Sequence, residues 1–216
     1  MTHCQSVEDS IKEYKTLSQK VFTSKSKDET STFDYHVLVA EIKRVVSNFG
    51  KGLFPDAELK DTNLNLCHTF VISTCLRSAG GAIRMRTYDT LTADAFDAYT
   101  YIWEAARATC AAPTFFSPIY IDDVRYGDGG TGWNNPTKEA IAETQNIWPN
   151  RPIGCIVSIG TGLEEALQLN EKGKEISGFV AAILQKTSPK LAFQVAVAEY
   201  LLQMFDKLRN HSSRSG

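Results

Sequence analysis

The 216-residue sequence predicts an α/β fold built in layers, with a largely buried sheet between helices. Three observations point there. Segments with helical apolar spacing alternate with short β-branched runs. Some of those runs are apolar at every position, the pattern of strands covered on both faces. Glycine and proline clusters punctuate the boundaries. No internal repeat, low-complexity tract or domain linker interrupts the pattern, and 43% hydrophobic with 22% charged residues is ordinary for a globular chain.

Ser6-Val7-Glu8-Asp9 opens a helix, with a hydroxyl cap and acids in the first turn. Val7, Ile11, Tyr14, Leu17 and Val21 continue it as one apolar stripe. Residues 23–32, rich in Ser, Lys, Asp and Glu, read as a solvated loop, and the lysines from Lys20 to Lys27 offer at most a membrane-surface contact. A second helix is predicted from Tyr35 to Phe49, with Leu38, Ile42, Val45, Val46 and Phe49 inward and Gly50 and Gly52 ending it. Leu66 to Thr74 reads as a buried strand, Ala79-Gly80-Gly81 as a turn, and the alternating Ala82 to Tyr88 as a second strand. Thr100 to Ala111 is an amphipathic helix that Pro113 and Pro118 stop.

Tyr120-Ile121 and Val124-Arg125-Tyr126 read as short strands joined by a polar hairpin turn at Asp122-Asp123. Pro136 starts a helix over Thr137 to Gln145. Ile153 to Ile159 carries the strongest strand signal of the chain and ends at Gly160-Thr161-Gly162. That turn lacks the lysine of a P-loop and the third glycine of a dinucleotide fingerprint. Residues 163–178 are mixed, a long helix is expected over 191–208, and 211–216 reads as a frayed tail.

The most informative segment is Tyr126-Gly127-Asp128-Gly129-Gly130-Thr131-Gly132-Trp133-Asn134-Asn135-Pro136. It places one carboxylate among four glycines between a strand and a helix start. Glycines permit a tight turn and close backbone approach, so the Asp128 carboxylate is presented as a catalytic acid or base. The plain alternative is an Asp-Gly turn with no further role. Trp103, Phe115, Phe116 and Trp133 are expected mainly in the core.

Twenty-three basic and 25 acidic residues leave a net charge of −2, which gives no general attraction to nucleic acid, and no nucleic-acid partner is expected. The five cysteines, Cys4, Cys67, Cys75, Cys110 and Cys155, form no C-x-x-C pair; four of them lie in or beside apolar runs and are expected to behave as small buried hydrophobes in a reducing, intracellular setting. His3, His36, His68 and His211 show no ligand spacing with them, so no metal site is expected. The N-terminus lacks the pattern of a signal peptide, and no apolar stretch approaches the ~18 residues of a membrane span.

Three stretches resemble the patatin-like phospholipases. Ile102-Trp103-Glu104-Ala105-Ala106-Arg107-Ala108-Thr109-Cys110-Ala111-Ala112-Pro113-Thr114-Phe115-Phe116 is similar to their W-x-A-x-R-A-[ST]-x-A-A-P-x-[FY]-F segment. Arg86-Thr87-Tyr88 resembles their R-[ST]-Y, and Arg151 to Gly162 is similar to the strand that follows the Asp-Gly-Gly motif. The resemblance runs from about Leu66 to Gly162 in family order, and its wording is nearest the fungal branch.

The resemblance implies a three-layer α/β/α acyl-hydrolase fold, lipid acyl esters or a membrane surface as partner, no cofactor, and a cytoplasmic location with a peripheral membrane contact as the alternative. Asp128 would be the proton acceptor of a Ser–Asp dyad, with Gly129 and Gly130 completing its motif. The family's Gly-Gly-x-Arg-Gly oxyanion loop and Gly-x-Ser-x-Gly nucleophile elbow do not occur in the sequence. Gly80-Gly81 precedes Ala-Ile-Arg in the wrong place; Ser73, Ser78, Ser117 and Ser158 lack the elbow's glycines. Val7 to Tyr14 resembles the region that follows the elbow. The expectation is therefore an N-terminally truncated patatin-like domain over 1–210 and a disordered tail over 211–216, with a sheet edge left unpaired and no hydrolase activity. A non-catalytic protein that binds lipid or a protein partner is the alternative. The oligomeric state is not set by the sequence.

Overall fold

A computed structural model of the chain describes residues 7–28, 30–50, 53–60, 67–77, 81–90 and 99–159. The expected helix over 191–208, the tail, the turn at Gly160 and the caps at Ser6 and Gly52 lie outside the described residues.

Two long helices come first, α1 (Val7–Thr23) and α2 (Tyr35–Phe49). The Asp34 side chain caps α2 by accepting from the His36 N–H at 2.9 Å, and the Gly50 N–H closes its end on the Val46 carbonyl. Leu17, Val21 and Phe22 of α1 meet Leu38, Ile42, Val45 and Val46 of α2 in the core. Tyr14 packs against it, but Ile11 is 46% exposed and lies outside the core. Glu41 is buried too, held by Lys20 at 2.6 Å and by Arg44 at 2.8 Å. Lys20 is thus tied back to α2 rather than presented with the loop lysines.

The sheet has four strands in the order β2-β1-β4-β3, all antiparallel: β1 (Phe70–Cys75), β2 (Ala82–Arg86), β3 (Ile119–Ile121) and β4 (Val124–Asp128). Asp122 and Asp123 join β3 to β4 with φ of 45° and 59°, the doubly left-handed turn that suits the twist of a two-residue hairpin. β1 starts four residues later than its apolar run suggests.

Strand alternation sorts the side chains into layers. Val71, Met85, Ile121 and Tyr126 face the core built with α1, α2 and α3 (Ile102–Thr109). The alanines Ala105, Ala106 and Ala108 let α3 lie close on the sheet. Arg84 and Arg86 alternate to the opposite face, where α5 (Thr137–Ile147) offers Glu139 and Glu143. Helices therefore flank the sheet on both faces, the α/β/α layering expected from the sequence. Phe115 and Phe116 are buried and meet Phe33 at 5.6 and 6.0 Å between ring centroids; Trp103 packs at the edge of the core, while Trp133 is not part of it.

The expected strand over Ile153–Ile159 is not formed. These residues have no regular structure and all are exposed, Val157 by 76% and Ile159 by 80%. An apolar run becomes a strand only where a neighbour completes its backbone hydrogen bonds and other layers cover its faces. Among the described residues no strand does so. The edges of the sheet are blunted instead: β3 has three residues, and β2 carries Arg84 and Arg86. Cys67 and Cys155 are also exposed, contrary to expectation: Cys67 lies ahead of the buried strand β1, and the run around Cys155 is not buried; Cys110 is buried and Cys75 half-buried.

The Arg86–Glu143 pair bridges sheet and α5 almost out of solvent, with Arg86 Nη2 donating to Glu143 Oε2 at 3.0 Å and the Tyr88 hydroxyl to Oε1 at 2.8 Å. Removing one member of such a pair strands the other. Glu143→Ala is expected to lower stability by about 3–5 kcal/mol, read as a shift of the urea unfolding midpoint.

Candidate functional site

Asp128 is the last residue of β4, at the point where the chain leaves the sheet. Its register partner on β1 is Ser73, and the preceding pair is Thr74 with Gly127. The Asp128 N–H donates to the Ala111 carbonyl at 3.2 Å, which ties the turn to the segment just after α3. The Asp128 carbonyl accepts from the Thr74 hydroxyl at 2.9 Å. Main-chain donor and acceptor of the same residue are thus both engaged, from opposite sides.

The two following glycines have separate physical reasons. A Cβ on Gly129 would lie 2.1 Å from the carbonyl oxygen of Ile72, so no side chain fits between the turn and β1. Gly130 donates its backbone N–H to Asp128 Oδ1. Gly129 also leads into a short helical turn, α4 (Gly130–Trp133), that the sequence did not signal; Gly132 at φ 119° breaks its regularity.

The Asp128 carboxyl is partly buried, and burial pushes its pKa up to about 6; the Gly130 N–H pulls the other way but less. It sits near Cys110, at the end of α3, whose fully buried thiol is pushed far above its ordinary range by burial, with Asp128 adding to the rise. A carboxylate with such a value is a far better proton acceptor at neutral pH than an ordinary one near ~3.9.

Arg107 lies on the buried face of α3. Its guanidinium donates to the Ser117 carbonyl and lies 5.2 Å from the Tyr35 ring and 5.4 Å from the Phe116 ring. Its Nε and Nη1 have no hydrogen-bond acceptor among the described residues, and burial lowers its pKa to about 10. Ser73, opposite Asp128, is fully buried, and its hydroxyl donates to the Gly127 carbonyl at 2.7 Å, so it is not a presented nucleophile. Ser117 and Ser158 belong to other segments; Ser158 Oγ accepts from the Thr137 hydroxyl at 3.0 Å. Ser78 lies outside the described residues. Sequence reasoning missed the hydroxyls of Ser73, Thr74 and Thr109 as parts of the site. Thr109 donates to the Ile72 carbonyl at 2.6 Å, the same atom over which Gly129 packs. Threonine at the end of a β-branched run is ordinary strand composition, so only the register reveals them.

Residues 1–141 match the sequence profile of a family described as patatin-like phospholipase. Phospholipase A I of Arabidopsis thaliana is 46% identical over 61 residues, 28% of this chain and 5% of that protein. Calcium-independent phospholipase A2-gamma of Rattus norvegicus is 43% identical over 65 residues, 30% of this chain and 8% of that protein. The 85/88 kDa calcium-independent phospholipase A2 of Mus musculus is 35% identical over 71 residues, 28% of this chain and 8% of that protein. The matched stretch thus spans less than a tenth of each relative's length. These relatives are plant and mammalian, so the expectation of a fungal branch gains nothing from them. No solved structure matches the chain.

Two outcomes follow from the turn. Below pH ~4 Asp128 is largely neutral in folded and unfolded chains alike; between there and about 6 the folded state alone resists ionisation, so stability is lost over that window and levels off above it. Asp128→Asn keeps an acceptor for the Gly130 N–H without the charge. Discounted for partial exposure, it is expected to be ~1–2 kcal/mol more stable than wild type at pH 7 and equal to it near pH 4 in denaturant titrations. Gly129→Ala is expected to cost ~2 kcal/mol or more, seen as a lowered thermal midpoint, because its Cβ meets backbone rather than a movable side chain.

Proposed function

The chain belongs to the patatin-like phospholipase family, and from that membership we propose that Asp128 is the proton acceptor of a Ser–Asp dyad acting on fatty acyl esters of lipids. The observation that carries this is the Asp128 carboxyl itself: fixed at a strand end by its own backbone bonds and sheltered enough to hold its proton to about pH 6. A serine hydroxyl is a weak nucleophile until a base takes its proton, and in a two-residue dyad the carboxylate must do so without histidine. Raising the pKa by about two units strengthens the base roughly a hundredfold while leaving it ionised at pH 7.

The 216 residues contain no Gly-x-Ser-x-Gly, and Ser73 is committed to a backbone carbonyl. On this reading the chain supplies the acceptor half of the dyad and, by itself, does not hydrolyse acyl esters. Residues 1–210 form part of an acyl-hydrolase domain that works at a lipid surface from the cytoplasm. Among the described residues no helix is long and apolar enough to cross a membrane. A second reading, a non-catalytic protein that binds lipid or a protein partner, is favoured by the exposed apolar residues Ile156, Val157 and Ile159.

A phospholipid acyl-ester assay separates these readings. The 216-residue chain is expected to give no turnover, and hydrolysis by it that disappears in Asp128→Asn would overturn the half-dyad reading. A longer product of the same gene carrying a Gly-x-Ser-x-Gly segment ahead of Met1 is expected to hydrolyse the substrate, with a rate that rises with pH through about 6. Asp128→Asn in that form is expected to lose at least ~10²–10⁴ in kcat. Turnover retained in that variant removes Asp128 from the mechanism.

A further inference from the structure

Three hydroxyl groups converge on the backbone around Asp128. Ser73 donates to the Gly127 carbonyl at 2.7 Å, Thr74 to the Asp128 carbonyl at 2.9 Å, and Thr109 to the Ile72 carbonyl at 2.6 Å. Ser73 and Thr74 are consecutive on β1, so their side chains leave opposite faces of the sheet. Each reaches across to the carbonyl of the residue opposite its neighbour: Ser73 faces Asp128 but bonds Gly127, and Thr74 faces Gly127 but bonds Asp128. The end of β4 is gripped from both faces at once. Ser73 has no exposure and Thr74 is 7% exposed, so water does not replace either hydroxyl without opening the sheet.

We propose that Ser73 and Thr74 are positioning residues for Asp128, whose hydroxyls hold the end of β4 so that the carboxyl stays sheltered and seated on the Gly130 N–H. The inference rests on the reading of Asp128 as a proton acceptor, and it concerns how that acceptor is tuned. Gly129 lies against the Ile72 carbonyl with no room for a side chain, and Thr109 fixes that carbonyl from the helix side. The Asp128 N–H is tied to the Ala111 carbonyl, and the last two carbonyls of β4 are further anchor points of the turn, the atoms that Ser73 and Thr74 hold. A swing of the turn would lift the carboxyl away from Cys110 and into water.

The test is a carbon-detected NMR titration of the Asp128 carboxyl in the full chain, for wild type, Thr74→Val, Thr74→Ser and Ser73→Ala. The wild-type midpoint is expected near 6. Thr74→Val keeps the shape and removes the donor; its midpoint is expected to fall by about half a unit or more, roughly a threefold loss of proton affinity. Ser73→Ala is expected to shift it in the same direction, and Thr74→Ser to restore the wild-type value. A hydroxyl that only stabilises the fold would lower the thermal midpoint and leave the Asp128 titration in place; that result, or equal shifts in Thr74→Val and Thr74→Ser, overturns the proposal. If Thr74→Val does not fold, hydrogen exchange of the Gly130 amide in wild type decides: strong protection supports a held turn, and exchange at the rate of a free amide overturns it. Because the readout is a titration, it can fail while Asp128 still proves essential for turnover, and the turnover experiment can fail while the titration succeeds.

Discussion

Everything that distinguishes this chain depends on the pairing of β1 with β4. Strand β1 lies between β2 and β4, and three registered pairs, Ser73 with Asp128, Thr74 with Gly127 and Cys75 with Tyr126, set where β4 ends. A slip of one residue would turn every β4 side chain to the other face. Tyr126 would leave the core, and Asp128 would lose its place beside the end of α3. The pairing is hard to slip because it is locked outside the ladder as well: Gly129 against the Ile72 carbonyl, and hydroxyls on the carbonyls of Gly127, Asp128 and Ile72.

Two carboxyl groups in this fold show how partners, rather than burial alone, decide an acid's behaviour. Burial raises the pKa of both Asp128 and Glu143. At Glu143 the bonds from Arg86 and Tyr88 and the charges of Arg86 and Arg84 outweigh it, and the net shift is downward. At Asp128 the opposing pull is one backbone N–H, and the net shift is upward. The first arrangement fastens α5 to the sheet; the second leaves a carboxyl able to take a proton near neutral pH, at the expense of stability there. Arg107 follows the same logic with the opposite sign. With aromatic rings and a carbonyl around it instead of a carboxylate, burial holds its pKa below the ordinary range.

The helices were the most legible part of the sequence. Helix α2 has the bounds its apolar spacing and Gly50 imply, and α3 and α5 lie within a few residues of theirs. Helical hydrogen bonds are local, so period and caps largely suffice. The hairpin at Asp122-Asp123 was legible for the same reason, since both residues tolerate the left-handed region. Strands were less so. β1 starts at Phe70 rather than Leu66, and Ile153–Ile159 is no strand at all, because a strand's hydrogen bonds belong to partners that the segment does not encode. The exposure of Ile11, Cys67 and Cys155 has the same origin: an apolar residue is buried only where another surface meets it.

The sequence by itself determined the family, the alternation of helices and strands, and the identity of Asp128 with its two glycines. These are matters of local order: which residue types follow which, and what each permits the backbone to do. Tertiary structure alone decided why each glycine is there, one for the approach to Ile72 and one for an N–H aimed at the carboxyl. It also decided that the hydroxyls of Ser73 and Thr74 serve the turn, and that Glu143 and Asp128 titrate in opposite directions. Ser73 and Asp128 stand 55 positions apart in sequence, and only the closing of the sheet sets them side by side. Contacts at that separation depend on register and desolvation, and neither is carried by any single stretch of chain.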